Sequence, residues 1–333
     1  MSAGWVAGSV RSQAMARHRI GTAAARRLAS TGSLAEALAV LAHSPYRRAA
    51  RADRTPGPAG RLAGAQRGVA ETLLWNLRVL AGWLPAAGAE RLRLLAGWFE
   101  IANVDELLRA LAGQPAEPPF RLGTLATAWP RLAGSGSAAE LRTALAASPW
   151  GDPGGTGDRD IAAGMRLAWA GRVAARVPAA RPWAAGGAAL LVARERFAAV
   201  PPAVLRPVPA AATARLLGPG WSAAGSLPEL AAALPPDARW ALARVAEPLD
   251  LWMAELRWWK RVAADAARLL AGRGPGGGWR GGPAGGFGPE RMLGAVALLA
   301  ADAWLVRGAL ELAARGGNAT AEEALEEVFD ALA

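Results

Sequence analysis

Residues 89–113, AERLRLLAGWFEIANVDELLRALAG, carry the most continuous apolar pattern in the chain. Leu92, Leu95, Phe99, Ala102, Leu107, Leu108 and Leu111 recur at the three- and four-residue spacings of a core-facing stripe. The spacing predicts one helix of about six or seven turns at ~3.6 residues per turn. Trp98, Ile101 and Val104 fill its other faces, so its middle is expected to be buried nearly all round. Two polar residues, Glu100 and Asn103, fall inside that stretch three positions apart and therefore share a face. Buried polar groups are costly unless they are paired. The two read either as a hydrogen-bonded pair that fixes helix register or as a contact at a subunit interface. Gly113 stands where a helix ends, and Pro115 follows.

The same period recurs along the chain, over residues 62–82, 161–177, 248–271 and 290–315. It is weaker over 183–200, where Gly186 and Gly187 interrupt it. No stretch has the alternation, β-branched enrichment and hairpin turns that strands need. Between the long helices lies a repeat. Residues 20–46, IGTAAARRLASTGSLAEALAVLAHSPY, match 122–150, LGTLATAWPRLAGSGSAAELRTALAASPW, and more loosely 216–240, LLGPGWSAAGSLPELAAALPPDARW. Each copy holds Ser-x-x-Glu: Ser33 with Glu36, Ser137 with Glu140, Ser226 with Glu229. This is a capping box, in which the serine oxygen accepts the amide three residues on and the glutamate reaches back to the serine amide. Ser44-Pro45 and Ser148-Pro149 stop the short helices that follow. Internal repetition of this kind outranks local assignments. The expectation is an all-α protein of three helical lobes: 1–121 with an N-terminal helix, 122–204, and 205–333 with an acidic C-terminal helix. Residues 201–209 are proline-rich, and 272–289, GRGPGGGWRGGPAGGFGP, read as a flexible loop.

Composition narrows the chemistry. There is no cysteine, which excludes disulfides, thiolate catalysis and cysteine metal sites. His18 lies in a basic run and His43 precedes a helix stop; neither has a metal-ligand spacing. Asp158 and Asp160 sit where acids favour a helix N-terminus. The glycine-rich stretch has no lysine and no preceding strand, so it is not a phosphate loop. Trp258-Trp259 beside Lys260-Arg261 read as helix packing rather than base stacking. No metal, cofactor or catalytic set is expected. No uncharged apolar run reaches the ~18 residues of a membrane span; the nearest, 292–306, contains Asp302. The formal charge is +11, with Lys260 the single lysine. Arginine-over-lysine usage of this degree is the bias of a GC-rich genome, or else the mark of an acidic partner, nucleic acid or an anionic membrane. The excess is uneven: eleven arginines precede Glu71 against only Glu36 and Asp53, whereas the last 23 residues hold six acids and one arginine.

Three features resemble the V-type/A-type rotary ATPase subunit called C in bacteria and archaea and d in eukaryotes. One is the helix pattern acid-x-x-Asn-apolar leading to Leu-Leu-Arg, here Glu100, Asn103, Val104, then Leu107-Leu108-Arg109. Another is the segment from Leu122 to Trp150, with Ser-x-x-Glu-Leu and Pro-aromatic. The last is a near-matching late helix, Asp302-Ala-Trp-Leu305-Val306-Arg307, in which Leu305 replaces the asparagine. The resemblance implies three similar helical lobes around a pseudo-threefold axis, forming a funnel. It implies a non-catalytic coupling subunit at the cytoplasmic face of a membrane. Its partners would be the central stalk subunits (D/F type) and the membrane proteolipid ring, with no small-molecule substrate and no nucleic acid. Trp98, Glu100, Asn103, Arg109, Asp302 and Arg307 are the candidate structural or interface residues. The alternatives from the residues themselves are an Arg-rich helical nucleic-acid binder and a generic helical-repeat adaptor.

Overall fold

A computed structural model describes residues 3–54, 57–200, 207–273 and 287–316. These are helical throughout, with no strand among the described residues. In chain order the α-helices are α1 (Ala3–Arg17), α2 (Gly21–Ala29), α3 (Leu34–Ala42), α4 (Pro58–Ala81), α5 (Ala86–Leu95), α6 (Gly97–Leu111), α7 (Trp129–Leu132), α8 (Ala138–Ala146), α9 (Asp158–Arg176), α10 (Arg181–Ala193), α11 (Pro207–Leu217), α12 (Leu227–Ala233), α13 (Pro236–Arg239), α14 (Leu251–Leu270) and α15 (Pro289–Ala314). The acidic C-terminal helix, most of the glycine-rich stretch and the first residues of the proline-rich one lie outside the described residues.

The chain divides into two compact units. Met1–Gly88 joins Trp259–Ala333 in the first, and Ala89–Trp258 forms the second. In the first unit α15 is the central helix, packed by α1, α2, α3 and α4. It is apolar on all sides, with Leu293, Val296, Leu299, Leu305, Val306 and Leu310 all buried. It is also the one described helix long and apolar enough to cross a membrane, and most of it is covered by its neighbours in the unit. The second unit holds two cores. In one, Ile101, Val104 and Leu108 of α6 pack with Leu132, Leu141, Leu145, Trp150, Ile161 and Met165. In the other, α10 packs with α9, α11 and the segment from α12 to α14.

The long helix expected over 89–113 is two helices, α5 and α6, broken at Ala96. The cause is the room needed beside Gly97. A Cβ there would stand 3.1 Å from the Trp169 ring and 3.2 Å from that of Trp150. The chain turns where a glycine lets two tryptophans close on the backbone, and the Trp169 indole N–H donates to the Leu94 carbonyl, 2.7 Å. Periodicity does not register such a break, because the apolar stripe continues through it.

The stretch around Gly186 and Gly187 is less interrupted than its sequence reads: α10 runs unbroken through both. Gly186 is a contact point rather than a breaker, since a Cβ there would lie 2.8 Å from the Trp240 ring. The cost of glycine in a helix, about 1 kcal/mol against alanine, is offset by that ring's close packing. After α10 the chain makes a π turn over Arg194–Ala198.

All three capping boxes form, with one change. Ser33, Ser137 and Ser226 each accept the amide of the glutamate three residues on, at 3.2, 3.2 and 3.3 Å. The glutamates do not return to the serine amide. They accept the amide of the preceding glycine, Gly32, Gly136 and Gly225, at 3.0, 2.8 and 2.8 Å. Each serine is extended, with φ between −143 and −160°, which carries its own N–H away and presents the glycine's. The repeated unit is therefore Gly-Ser-x-x-Glu. At Glu229 the amide of Gly225 and the hydroxyl of Ser226 hold the carboxyl below its ordinary range.

Candidate functional site

The interior of α6 shows what its two polar residues do. Glu100 and Asn103 are each 1% exposed and each has its own partners; they are not hydrogen-bonded as a pair. The Asn103 amide spans the backbone of Phe120: its oxygen accepts the Phe120 N–H at 2.6 Å, and its NH2 donates to the Phe120 carbonyl at 3.0 Å. That double bond fastens the extended segment after α6 onto the helix, and the Phe120 ring lies edge-on to Phe99, centroids 5.2 Å apart. The Glu100 carboxylate accepts three donors. They are the backbone amides of Thr127 and Ala128, at 2.6 and 2.8 Å, and the indole N–H of Trp150, at 2.6 Å. Ala128 is the N-cap of α7, so a negative charge lies at a helix N-terminus, where amides are otherwise unmet. Arg172 stacks over the Trp150 ring at 5.3 Å and supplies an opposing charge. Burial and the neighbouring Arg176 push that guanidinium below its usual range, and Glu100 acts the other way.

The same device recurs in the first unit. Asp302, 2% exposed in the middle of α15, accepts the backbone amides of Ile20 and Gly21, at 3.2 and 2.8 Å, and the Tyr46 hydroxyl, at 2.8 Å. Ile20 is the N-cap of α2. Arg19 stands near enough to favour the ionised form, and its own Nε donates to the Ala16 carbonyl. Desolvation outweighs these contacts and raises the Asp302 carboxyl above the ordinary aspartate value. Burial, then the charge and hydrogen bond of Asp302, push the Tyr46 phenol well up.

Each aromatic is delivered by the same turn. The Ser44 and Ser148 hydroxyls donate to the carbonyls of Leu41 and Leu145, at 2.8 and 2.7 Å, and accept the amides of Tyr46 and Trp150, at 3.0 and 3.1 Å. The Ser-Pro-aromatic ending thus does more than stop a helix: it aims a hydrogen-bond donor at a buried carboxylate. Tyr46, Trp150, Arg19 and Arg172 were not singled out from the sequence. The signal for the first two was present, since both aromatics that follow Ser-Pro carry a polar hydrogen. The leading Gly-Thr match, by contrast, misaligns the copies. Gly21 supplies an amide to the acid, whereas Gly123 belongs to a separate 3-10 turn, Gly123–Leu125, and residues 127 and 128 take its place.

The pairing of helices with repeats follows a rule. α6 holds the copy that follows it, α10 packs on the third copy, and α15 holds the first copy. In the third copy no acid is used. Arg196, in the π turn after α10, donates to the carbonyls of Trp221 and Ala224, and the Trp240 indole is satisfied locally by the Asp237 carbonyl, 2.8 Å. The Glu195 beside it pairs with Arg159.

The other candidates are placed as follows. Trp98 is half-buried against Phe99, centroids 4.5 Å apart. Arg109 and Arg307 are exposed. Leu305, in the position where α6 has Asn103, is buried. Trp258 donates to the Trp183 carbonyl, 2.9 Å, and Trp259 stacks on Trp304, centroids 5.4 Å apart, so both pack within their own units. Asp158 and Asp160 occupy the first turn of α9. His18 and His43 are exposed. Among the described residues no group of three His, Asp or Glu side chains could hold a metal ion. Chemically, Glu100 and Asp302 are acceptors whose oxygens are already engaged by amide, indole and phenol donors, an arrangement that locks helices together. In comparisons with known proteins, no family model matches the chain and no curated protein matches it.

Proposed function

We propose that the chain is a non-catalytic coupling subunit of a V/A-type rotary ATPase, linking the central stalk to the membrane proteolipid ring and transmitting torque. The observation that carries this reading is the latch described above: a long helix bearing acid-x-x-Asn whose acid holds the following repeat by two amides and an indole. The same latch closes the last long helix on the first repeat through Asp302. A body that passes torque must resist shear between its helices. Buried, fully partnered polar contacts add to that resistance, because they are directional and specify one arrangement of the helices. In this reading the three repeats are lobes of a funnel around a pseudo-threefold axis, seated peripherally at the cytoplasmic face of the membrane. The exposed Arg109 and Arg307 are then available to partner subunits.

The test is affinity purification of the tagged chain from its native membranes under mild detergent. The expected result is recovery with stalk and proteolipid subunits, together with loss of ion-coupled ATPase activity when the gene is deleted. Recovery of the chain without those subunits, or unchanged coupling after deletion, would overturn the assignment.

A further inference from the structure

The first unit has an outer strip that its own core does not use. Trp75 and Trp83 are 48% and 50% exposed, in the second half of α4 and just beyond its end. α1 packs its Gly4–Gly8 face against the Trp83–Pro85 segment, where a Cβ on Gly8 would lie 2.6 Å from Leu84. Arginines accompany the rings. Arg11 lies over Trp83 at 5.9 Å, Arg48 lies over Trp75 at 5.1 Å, and Arg78 is exposed one turn beyond Trp75. None of the three arginines forms an ion pair among the described residues. Single exposed apolar residues are ordinary, whereas a cluster marks a contact surface.

We propose that this strip docks on the headgroup layer of an anionic phospholipid bilayer. Charge complementarity decides the sign of the partner: before Glu71 there are eleven arginines and two acids, and Glu36 is already bound to the Gly32 amide. The apolar members decide the kind. Tryptophan suits the boundary between headgroup and hydrocarbon, since its large apolar body carries one polar N–H. Arginine grips phosphate with a planar fork while its stem lies along apolar surface. This inference does not rest on the rotor reading, because it concerns the isolated chain and a lipid surface.

The experiment is co-sedimentation of the purified full-length chain with vesicles of phosphatidylcholine alone and with phosphatidylglycerol added, at low and high salt. Binding to the anionic vesicles only, weakened by salt, is expected. Arg11→Glu/Arg48→Glu/Arg78→Glu should weaken it at least tenfold, and Trp75→Ala/Trp83→Ala at least threefold, both with unchanged far-UV circular dichroism. Arg78→Glu with Trp83→Ala serves where the triple variant misfolds. No binding to anionic vesicles, equal binding to neutral ones, or undiminished binding by the folded variants would overturn the proposal. So would duplex DNA binding as tightly as the anionic vesicles and losing affinity with the same substitutions.

Discussion

Glu100 and Arg196 face the same structural task with opposite chemistry. Each lies on or just after a long helix that packs against a copy of the repeat. Glu100 takes two amides at the start of a helix and an indole N–H; Arg196 gives its guanidinium hydrogens to the carbonyls of Trp221 and Ala224, at the end of a 3-10 turn. An acid fits a helix start and a cation fits a helix end for the same reason, the uncompensated backbone groups and dipole at each. In the third copy the aromatic is freed from the helix contact, and Trp240 turns to its own backbone neighbour. The two latches also differ in their environment. Glu100 is deep, with a carboxylate at 1% exposure, whereas Arg196 is only partly buried. The packing scheme therefore outlasts its polar anchor: apolar contacts and the Gly-Ser-x-x-Glu cap are common to all three copies, while the buried charge is specific to two.

The sharpest way to break that comparison is Glu100→Leu. It strands two amides and an indole N–H in a dry interior, and removing one member of a buried charged set costs about 3–5 kcal/mol. Urea unfolding followed by circular dichroism should show a large fall in midpoint. A fall no larger than that of an exposed substitution would mean that the latch contributes little beyond packing.

Asp302→Asn is a milder change with a diagnostic sign. The side chain keeps one acceptor oxygen, so the expected loss at neutral pH is about 1–2 kcal/mol or less. Its pH dependence is more informative. Burial raises the Asp302 carboxyl above its unfolded value, so the folded chain holds this proton more tightly than the unfolded chain does. Unfolding free energy therefore falls as pH rises through the interval between the ordinary and the raised value. The asparagine removes that contribution. Unfolding midpoints of the two proteins, taken from acidic to neutral pH, should differ most at the acidic end and converge as Asp302 ionises. A difference independent of pH would show that the carboxyl is not shifted.

These residues also show how far the sequence reaches. The all-helical class follows from the period of the apolar positions, and the repeat and its serine caps were legible because they are local, spanning three or four residues. Glu100, Asn103 and Asp302 stand out as polar residues in apolar helices. Their partners are not legible in the same way. Tyr46 reaches Asp302 across 256 positions, and the amides of residues 20 and 21 come from as far. No periodicity encodes such contacts. The break at Ala96 is hidden because its cause, two tryptophan rings beside Gly97, belongs to distant segments. The Gly-Thr at the head of the first two copies is opaque for a related reason: the same letters occupy different turns, α7 being shorter than α2.

The smallest effect concerns what all three copies share. Ser33→Ala, Ser137→Ala and Ser226→Ala each remove one accepted amide at an exposed helix start, worth about 1 kcal/mol apiece. Because the geometry is the same, with serine-to-amide distances of 3.2, 3.2 and 3.3 Å, the three losses should agree within a few tenths of a kcal/mol, near the limit of additivity for independent sites. The latches predict otherwise if they couple to the caps. Ser33 and Ser137 lie in copies held by Asp302 and Glu100, Ser226 in the copy held by Arg196. In the Glu100→Leu background, Ser137→Ala should then lose less than it does alone, because its helix is already loosened, while Ser226→Ala keeps its full cost. A double-mutant cycle measures this directly. Zero coupling at Ser137 would show that cap and latch are independent devices that merely recur together.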